Sequence, residues 1–300
     1  MATCDVQKVD AAHASHQFVG SRALRRRLES GVGKEAFKSA APRGIVEEND
    51  HIARFGFTLA GGIVELPPVD GVVVNATAGT AGVAAVPRFT TTEFCVADID
   101  TLSAALVLGD AVALNFANAT VPGGRYRSGG RAQEEDLCRL LPQLYPSLAR
   151  AAHRGVYPIA ASAALLSPGL LAVRRVGTYA LMASQGTVDI VTAAMPCGWG
   201  NGRRPRGGWL QSPWATTVAL RIRAVLAAAV ASGRANLVLG AFGCGAFGNP
   251  AAPVAAIFRE VLASSEFRGA FARVCFAIID PLGTGNLAPF RTELARLSNY

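Results

Sequence analysis

The feature that most constrains this chain is an alternation that begins near residue 98. Short apolar runs are separated by segments of helical spacing. Ala111-Val-Ala-Leu-Asn-Phe116, Val188-Asp-Ile-Val-Thr-Ala193, Asn236-Leu-Val-Leu-Gly-Ala-Phe242 and Val274-Cys-Phe-Ala-Ile-Ile279 read as strands. Between them lie helical patterns: Asp98 to Leu108, with Asp98 or Asp100 as its cap, Trp214 to Ser232, which stops at Gly233, and Val254 to Ala263. A further pattern, Glu134 to Ala152, carries Pro142 and Pro146 as interruptions, and a closing helix runs through Arg291 to Leu297. Strands alternating with helices predict a layered α/β fold.

The N-terminal part reads differently. Residues 1–60 look helical and polar, and Arg22-Ala-Leu-Arg25-Arg26-Arg27 reads as a solvated basic helix face. Gly71-Val-Val-Val-Asn75 reads as a short buried strand, and Ala76 to Pro87 as loop. No internal repeat or linker divides the chain. The expected organisation is an accessory segment, residues 1–97, packed on one compact core, residues 98–300.

Composition narrows the function classes. A 300-residue chain that is 51% hydrophobic can bury a large core and is not disordered. No stretch reaches the roughly 18 charge-free apolar residues of a membrane span. The start, MATCDVQKVDAAHASHQ, has no apolar segment behind a basic one, so no secretory signal is read and an intracellular protein is expected. The six cysteines form no CxxC pair and fit reduced, mostly buried thiols. The four histidines form no ligand-spaced set, so no metal is expected. A formal charge of +8 favours polyanions without saying which.

Two segments carry chemistry. In the first, a loop rich in glycine, Asn118 to Gly130, leads into Gln133-Glu134-Glu135. Acids in a first helical turn are favourable with the helix dipole by roughly 0.3–1 kcal/mol, so the pair by itself would mean little. The preceding loop changes that, because glycine allows close backbone approach to a ligand and ordering such a loop is costly. A tension remains: a helix N-terminus lowers a carboxylate pKa, whereas a general acid needs a raised one.

The second segment, Gly240-Ala-Phe-Gly243-Cys-Gly245-Ala-Phe-Gly248-Asn249-Pro, follows a strand and precedes a helix. Backbone amides there suit a phosphate. Gly243-x-Gly245-x-x-Gly248 also fits the dinucleotide-binding pattern of nicotinamide or flavin oxidoreductases. Against that reading, the motif lies late in the chain, and Glu266, the acid near the required spacing, follows a helix rather than a strand.

Together these residues identify a resemblance. Val112 to Gly124, followed by Gln133-Glu134-Glu135-Asp-Leu-Cys138-Arg139, resembles the bacterial-type (microbial) poly(ADP-ribose) glycohydrolases, whose signature is a glycine triplet, a short gap and Gln-Glu-Glu. Val188 to Pro196, Leu239 to Asn249, and Phe276-Ala-Ile-Ile-Asp280 with Gly285 to Phe290 are similar to the family's later strand, diphosphate loop and closing elements. The resemblance spans about residues 98–297. It implies a macrodomain-like three-layer α/β/α fold with a mixed sheet. It further implies that Glu135 protonates the leaving 2′-oxygen and Glu134 holds ribose hydroxyls. Asn118 would hydrogen-bond the distal ribose, and Gly123, Gly124, Arg125 and Gln133 would be further ligand-binding residues. The backbone of Gly243, Cys244, Gly245, Ala246, Phe247 and Gly248 would hold the diphosphate, Phe247 would pack against the terminal ribose, and Asn249 would be a further ligand-binding residue.

The implied substrates are poly(ADP-ribose) and poly(ADP-ribosyl)ated proteins, the product is ADP-ribose, and no cofactor, membrane or nucleic acid is required. One departure stands out. Arg125 occupies the third glycine position of the signature. If its φ were positive it would cost on the order of 1 kcal/mol. Either the loop follows another path or Arg125 makes a phosphate contact of its own. A non-catalytic ADP-ribose-binding macrodomain, a mono-ADP-ribose hydrolase and a nicotinamide-dependent oxidoreductase remain as alternatives. Asn201 to Arg206 reads as a solvated basic loop, and Trp199, Trp209 and Trp214 as packing residues rather than adenine stackers.

Overall fold

The computed structural model describes residues 44–59, 62–75, 87–184, 186–198, 208–280 and 285–299. The Arg22–Arg27 run, the Ala76–Pro87 loop apart from Pro87, the Asn201–Arg206 loop and Trp199 lie outside the described residues.

A seven-stranded mixed sheet organises the chain. Its strands are β3 (Val72–Asn75), β4 (Glu93–Ala97), β5 (Ala111–Phe116), β6 (Ala163–Leu171), β7 (Thr187–Ala193), β8 (Asn236–Leu239) and β9 (Arg273–Ala277), in the order β3-β6-β7-β5-β8-β9-β4. The five strands from β7 to β4 run parallel, whereas β6 is antiparallel to both its neighbours. A separate hairpin pairs β1 (Phe57–Leu59) with β2 (Gly62–Val64).

Period-two alternation builds two cores, one on each face. On one face Val112, Leu114, Leu237, Leu239, Val274 and Phe276 pack with α5 (Pro213–Ala231), α6 (Ala251–Ala263) and α7 (Leu287–Leu294). On the other, Ala111, Ala113, Val238, Cys275 and Ala277 meet α2 (Thr101–Leu108), α3 (Gln133–Leu140) and α4 (Leu144–His153). The small residues of β5 lie under α2. The fold is therefore the expected layered α/β/α arrangement. α5 is long and apolar enough to cross a membrane by length and composition, yet eight of its residues are buried in the first core.

Several expectations shift in detail. The helix read as continuous from Glu134 to Ala152 is two, α3 and α4, broken at Leu141–Gln143, where Pro142 has no N–H to offer. Pro146 sits in the first turn of α4, where an N–H would have no partner anyway. Asp100 rather than Asp98 caps α2, accepting from the Ser103 amide at 2.8 Å. The strand expected to be buried at residues 71–75 is instead an exposed edge strand, with Val72 at 57% exposure. β6 had no sequence signal because Pro168 and Gly169 interrupt it. They fall at a bulge, where the Gly169 amide turns to Asp189 at 2.8 Å.

Residues before 98 also supply two strands of the sheet itself, the edge strands β3 and β4. Of the helical segment expected over residues 1–60, the described part is helical only over α1 (Gly44–Phe55); Phe57–Leu59 is instead strand β1, paired with β2. Asn49 of α1 is buried and binds the C-terminal end of α3: its Nδ2 donates to the carbonyls of Cys138 (3.2 Å) and Arg139 (3.0 Å) and to the Tyr126 hydroxyl (3.2 Å). Its Oδ1 accepts from Arg174 Nε at 2.7 Å, and Arg174 also pairs with Glu48. Helix ends leave carbonyls without partners, and here a side chain from another helix supplies them.

Candidate active site

The carboxyl ends of the parallel strands converge on one edge of the sheet, the place where open α/β sheets bind ligands. Residues following β4 (Ile99, Asp100), β8 (Ala241 to Gly243) and β9 (Ile278, Ile279), with Phe116 at the end of β5, line a cavity of about 580 Å³ there. The loop after β5 and the first turn of α3 complete it with Asn118, Gly124, Arg125 and Gly130 to Glu135.

Both acids of Gln133-Glu134-Glu135 are buried in this wall, with Glu134 at 3% and Glu135 at 6% exposure. Glu135 is held from two sides: Oε1 accepts from the Arg125 amide at 2.8 Å and Oε2 from the Ala132 amide at 2.7 Å. The second contact is a carboxylate three residues into a helix reaching back to the cap amide. Glu134 Oε2 accepts from the Asn118 amide at 2.8 Å. Its Oε1 is buried with no hydrogen-bond partner among the described residues; the nearby Asn115 amide donates to Thr192 Oγ1 at 3.2 Å. Burial pushes the Glu134 pKa up to about 8 and the charge of Glu135 adds to the rise, while the Asn118 amide, the Asn115 side chain and the Gly123 amide oppose it. The tension between helix dipole and burial is thus resolved for Glu134 in favour of burial.

The loop's glycines are required by this packing. Gly123 and Gly124 have φ of +69° and +55°. A Cβ on Gly124 would lie 2.6 Å from Glu135 Oε1 and 2.8 Å from Glu134 Oε2, so both carboxylates converge on the bare Cα. Arg125, by contrast, has φ −98° and ψ 24°. The strain considered for a side chain at this position does not arise, because the left-handed turn is completed at Gly124. The loop is closed by Gly130, whose amide donates to the Arg125 carbonyl at 2.8 Å and whose own carbonyl accepts from the buried Arg139 guanidinium.

The second glycine segment forms the facing wall. Gly243, Gly245, Ala246 and Phe247 line the cavity. Among the described residues the amides of Gly243, Gly245 and Phe247 have no backbone acceptor, so they are available to an anion just ahead of α6. Glu266, which the dinucleotide pattern would need, pairs with Arg223 on the surface instead.

The structure therefore brings Asn118, Gly124, Arg125, Gln133, Glu134, Glu135, Gly243, Gly245, Ala246 and Phe247 to one cavity. Gly123, Cys244, Gly248 and Asn249 are not in its lining. Gly123 lies against Tyr145 and Cys138, and Cys244 Sγ turns to the Phe242 carbonyl at 3.7 Å. Gly248 supplies a turn at φ +63°. Asn249 is a clamp: its side chain joins Trp214 Nε1, the Pro196 carbonyl and the Gly243 carbonyl, each at 2.9 Å. Gln133 lines the cavity but all its polar atoms serve the protein, bonding the Phe116 amide, the Leu114 carbonyl and Thr101 Oγ1. Asn118 Oδ1 is taken by the turn at Thr120 and Val121, which leaves Nδ2 to donate.

Sequence reasoning passed over the apolar end of the cavity, formed by Ile99, Leu137, Leu140 and Ile278. It also passed over Asp100 and Asp136, whose carboxyls burial raises. Asp136 accepts from the Tyr179 hydroxyl, and Asp100 keeps an unpartnered Oδ2. The one available signal was position at strand carboxyl ends.

The chain is similar to known proteins. The sequence signature described as microbial-type PARG, catalytic domain, matches residues 75–168, where PARG denotes poly(ADP-ribose) glycohydrolase. Among solved structures, poly(ADP-ribose) glycohydrolase from Thermomonospora curvata is 31% identical, with TM-score 0.71, 85% of this chain and 98% of that chain being covered. The same enzyme bound to the inhibitor ADP-HPD matches at 30% identity and TM-score 0.64, over the same shares of both chains. The Deinococcus radiodurans enzyme in complex with ADP-ribose is 36% identical over 70% of this chain and 87% of that one, with TM-score 0.58. No curated protein sequence matches the chain. With near-complete coverage of the T. curvata enzyme at that identity, and with the signature segment falling on the loop and helix that carry both buried acids, the chain belongs to the family of microbial-type poly(ADP-ribose) glycohydrolases.

Proposed function

We infer that this protein hydrolyses the ribose–ribose O-glycosidic bonds of poly(ADP-ribose) and releases ADP-ribose, with Glu135 as general acid and base. The observation that carries this reading is the convergence of two buried carboxylates on Gly124, inside a cavity whose opposite wall offers free backbone amides. The amides of Gly243, Gly245 and Phe247 take the diphosphate. Asn118 Nδ2 and the unpartnered Glu134 Oε1 meet ribose hydroxyls. Glu135, fixed at both oxygens by loop amides, gives its proton to the leaving 2′-oxygen. Water then attacks the oxocarbenium-like carbon and returns a proton to Glu135. Acid–base help of this kind is worth roughly 10²–10⁴-fold, and positioning supplies much of the rest. Poly(ADP-ribosyl)ated proteins are the carriers of such a polymer. The described cysteines are all free, which fits a reducing compartment.

A second reading exchanges the two acids, since burial keeps Glu134 protonated near neutrality. The test is ADP-ribose release from automodified protein by wild type, Glu135→Gln and Glu134→Gln. A loss of about 10²-fold or more in kcat at Glu135 is expected, with the Glu134 variant losing chiefly affinity. The reverse pattern transfers the proton role to Glu134, and binding of ADP-ribose without release by wild type would reduce the protein to a reader of the modification.

A further inference from the structure

The charged residues of the cavity include a pair that the reaction above leaves unused. Arg125 and Arg131 both line the cavity and are both exposed. Neither has an ion-pair partner among the described residues. Arg127, on the same loop, differs in both respects: it pairs with Asp50 at 3.0 Å, stacks over Tyr145 and is absent from the lining. The two unpaired guanidinium groups therefore stand beside a cavity whose other charged side chains are acids. A substrate that carried no further negative charge would leave them without a role.

Their placement says which part of the substrate they face. The Arg125 amide is the group that binds Glu135 Oε1, and Arg131 directly precedes Ala132, whose amide binds Oε2. Each cation thus sits on, or next to, a residue whose amide holds the carboxylate at which the bond breaks, and both are exposed rather than part of the wall formed by Gly243 to Phe247. The loop that carries them is braced, through Gly130, by the buried Arg139. Beyond the broken bond, the next negative charges of the polymer are those of the diphosphate joined to the released ribose.

The geometry points to a second anion site at the cavity mouth, in which Arg125 and Arg131 hold the diphosphate of the ADP-ribose unit on the leaving side of the bond. This inference rests on the glycohydrolase reading. It gives the arginine in the third glycine position a task, because a glycine there would offer only its backbone. The site makes the enzyme prefer a polymer over a single ADP-ribosyl group, whose leaving side carries no diphosphate. Guanidinium groups suit the task, since they bind phosphate oxygens in a fork.

The test compares wild type with Arg125→Ala/Arg131→Ala and with the doubly lysine-substituted chain. KM for automodified polymer should rise roughly tenfold in the alanine variant, as expected for two exposed charge-assisted contacts. The dissociation constant for free ADP-ribose should stay at the wild-type value. The dependence of polymer KM on salt should flatten, and lysine should restore part of the loss. Unchanged KM and salt dependence in the alanine variant would overturn the inference. So would a parallel weakening of free ADP-ribose, which would put both arginines on the terminal unit. A wild-type chain that releases no ADP-ribose would instead sink the glycohydrolase reading, and this one with it.

Discussion

Replacing Gly124 by alanine adds one methyl group at the point where both acids meet. Its Cβ would stand 2.6 Å from Glu135 Oε1 and 2.8 Å from Glu134 Oε2, where ordinary contact begins at 3.4 Å. The carboxylates cannot retreat freely, because Glu135 is tied to the amides of Arg125 and Ala132 and Glu134 to that of Asn118. Something must therefore move by a good fraction of an ångström, and a displacement of about 1 Å in a catalytic group costs on the order of 10²-fold in rate. The left-handed φ of +55° adds on the order of 1 kcal/mol of backbone strain. Gly129 separates the two effects: it has φ +85°, yet nothing lies within 4 Å of an added Cβ. Gly129→Ala should share the stability loss, a few degrees in Tm, and retain most of the activity. Initial rates of ADP-ribose release and thermal unfolding, measured on both variants, test the argument. A Gly124→Ala enzyme as active as Gly129→Ala would refute the claim that this contact positions the acids.

Two further outcomes are expected. Because Glu134 has a carboxyl pKa raised from 4.5 to about 8, the folded chain binds more protons than the unfolded one between those values, so this group's contribution to stability is present at low pH and is lost as pH rises through 8. Glu134→Gln should therefore gain Tm over wild type at alkaline pH and lose that advantage towards pH 5; a constant difference across the range would contradict the titration. Asn49→Ala strands the carbonyls at the end of α3 and the buried Arg174 Nε, and should lower unfolding free energy by roughly 2–4 kcal/mol in denaturant titrations; a loss below about 1 kcal/mol would mean that water replaces the side chain.

The order of elements from β5 onward was legible because periodicity changes sharply there, from short apolar runs to helical spacing. Both functional loops were legible for a different reason: clustered glycine is rare without a backbone demand, and each cluster sat between a strand and a helix. β6 was hidden because Pro168 and Gly169 break its pattern, and only the neighbouring strands make the bulge tolerable. The roles of Gln133 and Asn249 were hidden because a polar side chain in a glycine-rich motif looks the same in sequence whether it faces a ligand or clamps the backbone.

By itself the sequence determined the α/β alternation, the two glycine loops and the acid pair, since all three are written in neighbouring residues. The tertiary structure decided the rest. It set the edge positions of β3 and β4, the joining of α1 to α3 through Asn49, and the apolar end of the cavity from Ile99, Leu140 and Ile278. It also left Glu134 with a bare oxygen and a raised pKa. Neighbours in sequence share a helix turn, but desolvation and hydrogen-bond supply come from segments far away along the chain, and those exist only once the strands have been brought side by side.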